Sequence, residues 1–242
     1  MRAYTENMDI LSFSERETNC RYIAYLASAL VSVFRGISAE VAFDGGRVRL
    51  TLRAKEEDKA RLHALGAEKV AEVLCIGYKY NLLSSLVHPA GLSAEEREIL
   101  LAAIISADFS EDRKYVCARL NGVTEHSVDG FYLFRLRRLQ EKWRSVASCV
   151  PPSFTRAQLH DFMEYLLDGC RGKVFLKGQE VYDSRCRRLR RAQLIDGGRS
   201  EINTRREIIL SGAGKVECLS ALSAGQEDFL KKYYAGRVGF GV

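Results

Sequence analysis

The segment DGFYLFRLRRLQEKWRSVASCV, residues 129–150, decides the fold because its periodicity is the clearest in the chain. Its large apolar residues recur at alternating intervals of four and three residues, which keeps them on one face of an α-helix. These residues are Tyr132, Leu136, Leu139, Trp143, Val146 and Val150. The segment therefore predicts one long helix, and we expect Phe131, Phe134, Leu139 and Trp143 to belong to the protein core.

A second helix is predicted to begin at Thr155. Thr155 and Gln158 have the spacing of a capping box, in which each side chain accepts a hydrogen bond from the other residue's backbone N–H. The apolar residues that follow include Phe162 and Leu166, which we also expect in the core. Two further capping boxes predict helix starts elsewhere, at Ser14 with Glu17 and at Ser93 with Glu96.

Short strand-like segments lie on either side of this helical region. Val48, Leu50 and Leu52 alternate with polar residues after the turn glycines Gly45 and Gly46, which predicts a hairpin with one wet face. Towards the C-terminus a second hairpin is predicted over residues 174–182, and a strand over 187–195.

The predicted fold class is α+β, with a mostly helical centre and small antiparallel β elements near the N- and C-terminal parts. We expect a single domain over residues 1–242, which could subdivide into an N-terminal part, 1–92, and a C-terminal part, 93–242. The 47% hydrophobic and 28% charged residues are typical of a globular protein and exclude a disordered chain.

No run of about 18 apolar residues is present to predict a membrane span. The N-terminus also lacks a basic region followed by an apolar one, so the sequence predicts a cytoplasmic protein. The net charge of +6 is uneven: residues 1–125 carry 16 Lys/Arg and 18 Asp/Glu, whereas residues 126–242 carry 21 and 13. An acidic partner for the C-terminal half, protein or nucleic acid, and a pairing of the two halves both explain this asymmetry.

Residues that would point to a metal site or an enzyme are scattered. The seven cysteines include no C-x-x-C pair, and none has a histidine at zinc-finger spacing. The four histidines are far apart, and no phosphate-binding glycine loop, G-x-S-x-G or H-E-x-x-H motif occurs. The sequence therefore predicts no metal, no cofactor and no catalytic residue, with reduced cysteines serving as core residues.

The strongest candidate site is a run of arginines. Five arginines fall within seven residues, and two more could extend the patch. They are Arg185, Arg187, Arg188, Arg190 and Arg191, followed by Arg205 and Arg206. Such a run suits phosphate groups, but pairing with acidic residues is an equally ordinary use of it. Aromatic residues do not alternate with these arginines, so phosphate contact is favoured over base stacking. A second stripe, Arg135, Arg138 and Lys142, is expected to cover the edge of the core.

The segment Asp129–Leu136 resembles the G-F-x-x-F-R-L segment of the YtxC-like proteins, putative sporulation proteins of endospore-forming Firmicutes. Arg206–Leu210, Lys215–Glu217 and Gly236–Val238 are similar to the end of that family, and the resemblance covers roughly residues 95–242. It implies a sporulation-associated cytosolic protein and gives no catalytic residue. Three functions stay open: binding without catalysis, which we favour; nucleic-acid binding by the Arg185–Arg191 run; and an enzyme with a dispersed site.

Overall fold

The computed structural model of this chain describes residues 8–34, 36–120, 122–197 and 200–241. They form an α+β fold, as predicted, and fall into two compact units. Unit 1 comprises Met1–Tyr78 and Glu111–Gln140, and unit 2 comprises Lys79–Ser110 and Glu141–Val242. Each unit is therefore built from two stretches of chain, and the sequence-based boundary between residues 92 and 93 falls inside unit 2.

Unit 1 contains a four-stranded sheet with helices packed on it. Its strands are β1 (Met8–Arg16), β2 (Ser38–Asp44), β3 (Arg47–Lys55) and β4 (Glu125–Ser127), in the order β2-β3-β1-β4. Strand β1 is antiparallel to β3 and parallel to β4. Helices α1 (Cys20–Val31) and α2 (Lys59–Glu72) pack on β1 and β3, where Leu11, Phe13, Leu50 and Leu52 are fully buried.

The first predicted helix start is wrong, whereas the N-terminal hairpin is confirmed. Ser14 lies within β1 opposite Arg49, and helix α1 begins only at Cys20. Strands β2 and β3 form the hairpin, and its turn contains Gly45 and Gly46, both with positive φ. This conformation costs glycine little because it has no Cβ.

The helix after α2 contains a wider turn. Residues Val73–Tyr78 are π-helical, and α3 (Lys79–Leu86) continues beyond them. A Cβ on Gly77 would lie only 2.6 Å from the ring of Tyr22, so a glycine is needed where α1 approaches this turn.

Helix α4 (Ala94–Leu120) begins where Ser93 and Glu96 predict a helix start. Its predicted capping box is present: the Ser93 N–H donates to Glu96 Oε2 at 2.9 Å, and the Glu96 N–H donates to Ser93 Oγ at 3.2 Å. The next predicted helix is instead two helices, α5 (Val128–Arg135) and α6 (Arg137–Ser148).

Unit 2 contains the second sheet. Its elements are α7 (Arg156–Asp168), β5 (Gly172–Lys177), β6 (Glu180–Tyr182), α8 (Ser200–Leu210), β7 (Ala213–Cys218), α9 (Ala224–Tyr233) and β8 (Val238–Phe240). The strand order is β6-β5-β7-β8; β5 and β6 form the predicted hairpin, but β5, β7 and β8 are mutually parallel. Both sheets thus contain parallel pairs that the sequence did not predict.

The strand expected over residues 187–195 is absent from the described part of the chain. A single bridge joins Arg188 to Tyr182, and Arg191–Leu194 form a 3₁₀ turn. Across the residues that the structure describes, no helix combines the length and apolar character needed to cross a membrane.

The expected core residues differ in burial. Trp143 is fully buried and Leu139 is 4% exposed, whereas Phe131, Phe162 and Leu166 are half-buried. Phe134 is 72% exposed, so its assignment to the core was wrong. At about 100° per residue, Phe134 lies roughly 200° around a helix from Tyr132, which places it opposite the apolar face rather than beside it.

Candidate anion-binding site

Most of the predicted arginine run is paired within unit 2. Arg187 Nη2 lies 2.8 Å from Asp183 Oδ2, and Arg188 Nη1 lies 2.6 Å from Glu180 Oε1. Arg191 Nη1 donates to the Leu210 carbonyl at 2.9 Å. Burial alone would raise the pKa of Asp183, but hydrogen bonds from the backbone and side chain of Arg187 lower it below the usual value.

The two arginines expected to extend this run are also engaged. Arg205 Nη1 lies 2.9 Å from Glu95 Oε2. Arg206 is 3% exposed, and its Nη2 donates to Glu98 Oε2 at 2.5 Å and to the Tyr80 hydroxyl at 3.2 Å. Burial, followed by the hydrogen bond to Glu98, raises the pKa of Tyr80 to about 12. Arg206 therefore cannot reach a phosphate in solvent, and its assignment to the patch is corrected.

Arg185 and Arg190 complete the run without restoring the patch. Arg190 has an interaction within the protein, whereas the exposed side chain of Arg185 has no ion pair or hydrogen bond among the described residues. The backbone N–H of Arg185 donates to Asp183 Oδ1 at 2.9 Å. Asp183 and Glu180 therefore offset the charge of Arg187 and Arg188, which is only part of the positive charge of the run.

The break between α5 and α6 is built from three residues of unit 1. Leu136 is fully buried and has φ −111° and ψ 19°, outside the helical range. The break frees carbonyl groups at the end of α5, and Gln140 Nε2 donates to the Tyr132 carbonyl at 2.7 Å. The Gln140 N–H donates to the Leu136 carbonyl at 2.9 Å and so starts α6. The side chain of Gln140 thus caps the end of α5, and its backbone N–H makes a hydrogen bond in the first turn of α6.

The residues on either side of the buried Leu136, at positions 133–135 and 137–138, are exposed. Leu133 is 44% exposed and Phe134 is 72% exposed, and the three arginines of this stretch are exposed as well. We call these residues the basic–aromatic junction: Leu133, Phe134, Arg135, Arg137 and Arg138. Within the described ranges, none of the three guanidinium groups has an ion pair or hydrogen bond. The charge of these three arginines is therefore available to a ligand, whereas Arg187 and Arg188 of the run are already paired with acidic residues.

The electrostatics of α6 increase this positive potential. A helix N-terminus carries about half a positive charge, so acidic residues are stabilising there and basic ones are not. Helix α6 nevertheless begins with Arg137 and Arg138, and its first turn contains no acidic residue. Local stability does not explain this arrangement, and such exceptions are expected at functional sites. Helix N-termini also favour anions because of their free N–H groups.

The other end of α5 is neutralised. Asp129 accepts hydrogen bonds from Arg47 Nη2 at 2.7 Å, from Ser127 Oγ at 2.9 Å and from Arg16 Nε at 3.3 Å. The Arg47 guanidinium holds the pKa of the Asp129 carboxyl well below its usual range. In unit 1, paired and unpaired arginines thus lie at opposite ends of one short helix.

A buried carboxylate in unit 1 is the other unusual polar feature. Glu15 has no exposed surface, and it accepts a 2.6 Å hydrogen bond from the Tyr78 hydroxyl in the π-helical turn. Burial raises the pKa of Glu15 above its usual value, although the Tyr78 bond opposes this. Because no solvent reaches this carboxylate, we interpret it as part of the packing of the turn and not as a catalytic base.

Potential metal ligands converge at one place among the described residues. His160, Asp161 and Glu164 on α7 have ligand atoms within 4.8 Å of one another, and two of the three residues are exposed. The sequence search missed this group because it required cysteine pairs or two histidines. Exposed groups at adjacent helix positions commonly meet without a metal, so we assign none.

The cysteines are only partly core residues. All seven are free, and Cys75 and Cys218 are buried. Cys20, Cys149 and Cys186 are exposed, which corrects the expectation that the cysteines as a group fill the core.

Comparison of the chain with protein-family models, curated proteins and solved structures found no match. The candidate site therefore rests on its own geometry.

Proposed function

We propose that this protein acts by binding and that the basic–aromatic junction holds a single-stranded nucleic acid. The observation that carries the proposal is the exposed ring of Phe134 beside three arginines that have no ion pair or hydrogen bond to the residues the structure describes. Single-strand sites combine these two elements, because arginines contact the phosphates while an aromatic ring stacks on a base.

The exposed ring favours a single strand over a duplex. Bases in a duplex are stacked on one another, so a protein ring cannot reach their faces without unstacking them. An aromatic residue, Phe134, lies beside the arginines at residues 133–138, whereas no aromatic residue lies within the Arg185–Arg191 run. An acidic protein would also suit exposed leucine, phenylalanine and arginine side chains, and the test below separates the two.

The test is binding of a fluorescently labelled oligothymidylate of about 12 nucleotides, measured by anisotropy over a range of salt. Three phosphate contacts predict a slope of log K against log salt of about −2. Phe134→Ala should weaken binding roughly 5- to 150-fold through lost stacking and leave the slope unchanged. Replacing Arg137 and Arg138 together with Gln should reduce the slope by about 1.4.

A matched control removes the same charge from the paired run. Arg187→Gln combined with Arg188→Gln also lowers the net charge by two, yet we expect unchanged affinity and slope because those arginines already pair with Asp183 and Glu180. Equal losses in both double variants would mean unspecific attraction and would overturn the site. Absence of oligonucleotide binding at low salt, with binding of polyglutamate instead, would replace the nucleic acid by an acidic protein.

The cellular setting stays a prediction. The resemblance of Asp129–Leu136 to the YtxC-like proteins supports a role in sporulation and a cytoplasmic location. Tagging the protein in its own cells and following it through sporulation checks both expectations at once.

A further inference from the structure

Strand β2 is an open edge of the unit 1 sheet. All seven of its residues are exposed, and among the described residues it pairs only with β3. Its outer N–H and C=O groups therefore form an unused ladder. The register with β3 is regular over Ser38–Asp44, and β2 has no proline, lysine or arginine, so most of the usual protections of an edge strand are missing.

The apolar side of the sheet continues onto this edge without cover. Val41 lies opposite Leu50 and Phe43 lies opposite Val48, and opposite residues of antiparallel strands share a face. Leu50 and Val48 are at most 1% exposed, whereas Val41 and Phe43 are 49% and 64% exposed. An extended apolar strip that ends on an unpaired edge is typical of an interaction surface.

We infer that β2 pairs with β2 of a second copy of this chain, antiparallel about a twofold axis at Val41. The two four-stranded sheets then form one continuous sheet of eight strands. The apolar faces of both copies lie on the same side, because a twofold axis perpendicular to the sheet preserves its sides.

The sequence of β2 is self-complementary in this register. Val41 meets Val41 of the second copy, and the small Ala39 meets the large Phe43, so the apolar face is filled evenly. On the polar face, Glu40 lies opposite Ala42 and Asp44 lies opposite Ser38, so no like charges meet directly. Glu40 is also neutralised by Arg53 Nη1 of its own chain at 3.0 Å.

Neighbouring registers are worse. Centring the pair on Ala42 sets Glu40 opposite Asp44, and centring it on Glu40 sets that carboxylate against itself. Like charges directly opposite are destabilising. A shift by one residue on one strand alone turns the apolar side of one copy towards the polar side of the other. Charge and side-chain pattern thus select a second copy in one register.

The first test is the mass of the full chain in solution, measured by light scattering over a roughly hundredfold range of concentration. We expect the mass to rise with concentration towards twice 27.3 kDa. Val41→Lys places two lysines opposite each other and should keep the chain at the monomer mass throughout. Leu86→Lys is the matched control: Leu86, on α3 of unit 2, is 46% exposed, and its replacement should leave dimerisation unchanged.

A cross-link tests the register independently of folding changes in the lysine variants. In a background with Cys20, Cys149 and Cys186 replaced by Ser, Val41→Cys should form a reducible covalent dimer under mild oxidation. Directly opposite residues have Cα atoms about 4.5–5.5 Å apart, within the range of a disulfide. Ala42→Cys should not cross-link, since its counterpart lies two residues along the strand. A monomer at every concentration, a Val41→Lys dimer, or equal cross-linking at both positions would each overturn the inference.

Discussion

The Arg185–Arg191 run and the basic–aromatic junction have similar arginine density but opposite electrostatic states. In the run, Asp183 and Glu180 lie 2.8 Å and 2.6 Å from the guanidinium groups of Arg187 and Arg188. At the junction, Arg135, Arg137 and Arg138 are exposed and have no described partner. The comparison teaches that the positive charge exposed at a cluster of arginines depends on which acidic side chains the fold places beside it. It does not depend on how many basic residues follow one another in the sequence.

Loop geometry explains the difference. The run lies in a tight turn in which Cys186 has positive φ, and the Asp183 carboxylate accepts backbone N–H groups from Arg185 and Arg187 at 2.9 Å each. The turn thereby places the Arg187 guanidinium against the carboxylate of Asp183. The junction lies between two helices that point their side chains outward, and the buried anchor, Leu136, is apolar.

The most buried arginine gives the largest expected effect. Replacing Arg206 with Ala removes the guanidinium paired with Glu98 at 2.5 Å, although the Tyr80 hydroxyl still donates to this carboxylate at 2.8 Å. Breaking a buried ion pair costs about 3–5 kcal/mol of unfolding free energy. Urea unfolding of unit 2 can be followed by the fluorescence of Trp143, the one tryptophan of the chain, which lies in that unit and is fully buried. Arg188→Ala is the control and should cost less than about 1 kcal/mol. Equal losses of unfolding free energy in Arg206→Ala and Arg188→Ala would show that the burial of Arg206 does not increase its contribution to stability.

The paired arginines of unit 1 give the next effect. Asp129→Asn removes the negative charge and one of the two acceptor oxygens that Arg47 and Arg16 contact, and hydrogen bonds to charged groups contribute about 1.5–3 kcal/mol. Because the folded pKa of Asp129 is lowered, its contribution is present above the unfolded pKa of about 3.8 and is lost as the pH falls below it. The stability difference between protein and variant should therefore shrink below about pH 4. Hydrogen exchange of β1 amides reports on unit 1, and a pH-independent difference would contradict this role.

The third-largest effect on stability is expected at the paired arginines of the Arg185–Arg191 run. Arg187→Gln with Arg188→Gln should lower the stability of unit 2 by at most about 1 kcal/mol, because exposed ion pairs are screened. The loss should diminish further at high salt. A loss of several kcal/mol, measured by Trp143 fluorescence, would mean that the run holds the fold together.

The sequence predicted local features better than distant ones. The Thr155 capping box is present, with Gln158 Oε1 accepting from the Thr155 N–H at 2.8 Å, because both residues belong to one helical turn. The β5–β6 hairpin was found for the same reason. The parallel pairing of β5 with β7 joins strands separated by a helix, and no local pattern specifies it. The assignment of Arg206 to the arginine patch was wrong for the same reason, since its burial depends on Glu98, 108 residues away.

The smallest expected effect is at the basic–aromatic junction, where a substitution should increase stability instead of lowering it. Arg137 is an exposed cation in the first turn of α6, where the helix dipole is positive. Replacing it with Gln removes an unfavourable interaction of roughly 0.3–1 kcal/mol, so the variant should be slightly more stable than the protein while binding oligothymidylate more weakly. The stability change can be read from the hydrogen exchange of β1, which lies in unit 1. The control is Arg188→Gln in unit 2, which should lose stability as measured by Trp143 fluorescence. A loss of stability on replacing Arg137 would show that this arginine has a structural partner, and the contrast between the two regions would then fail.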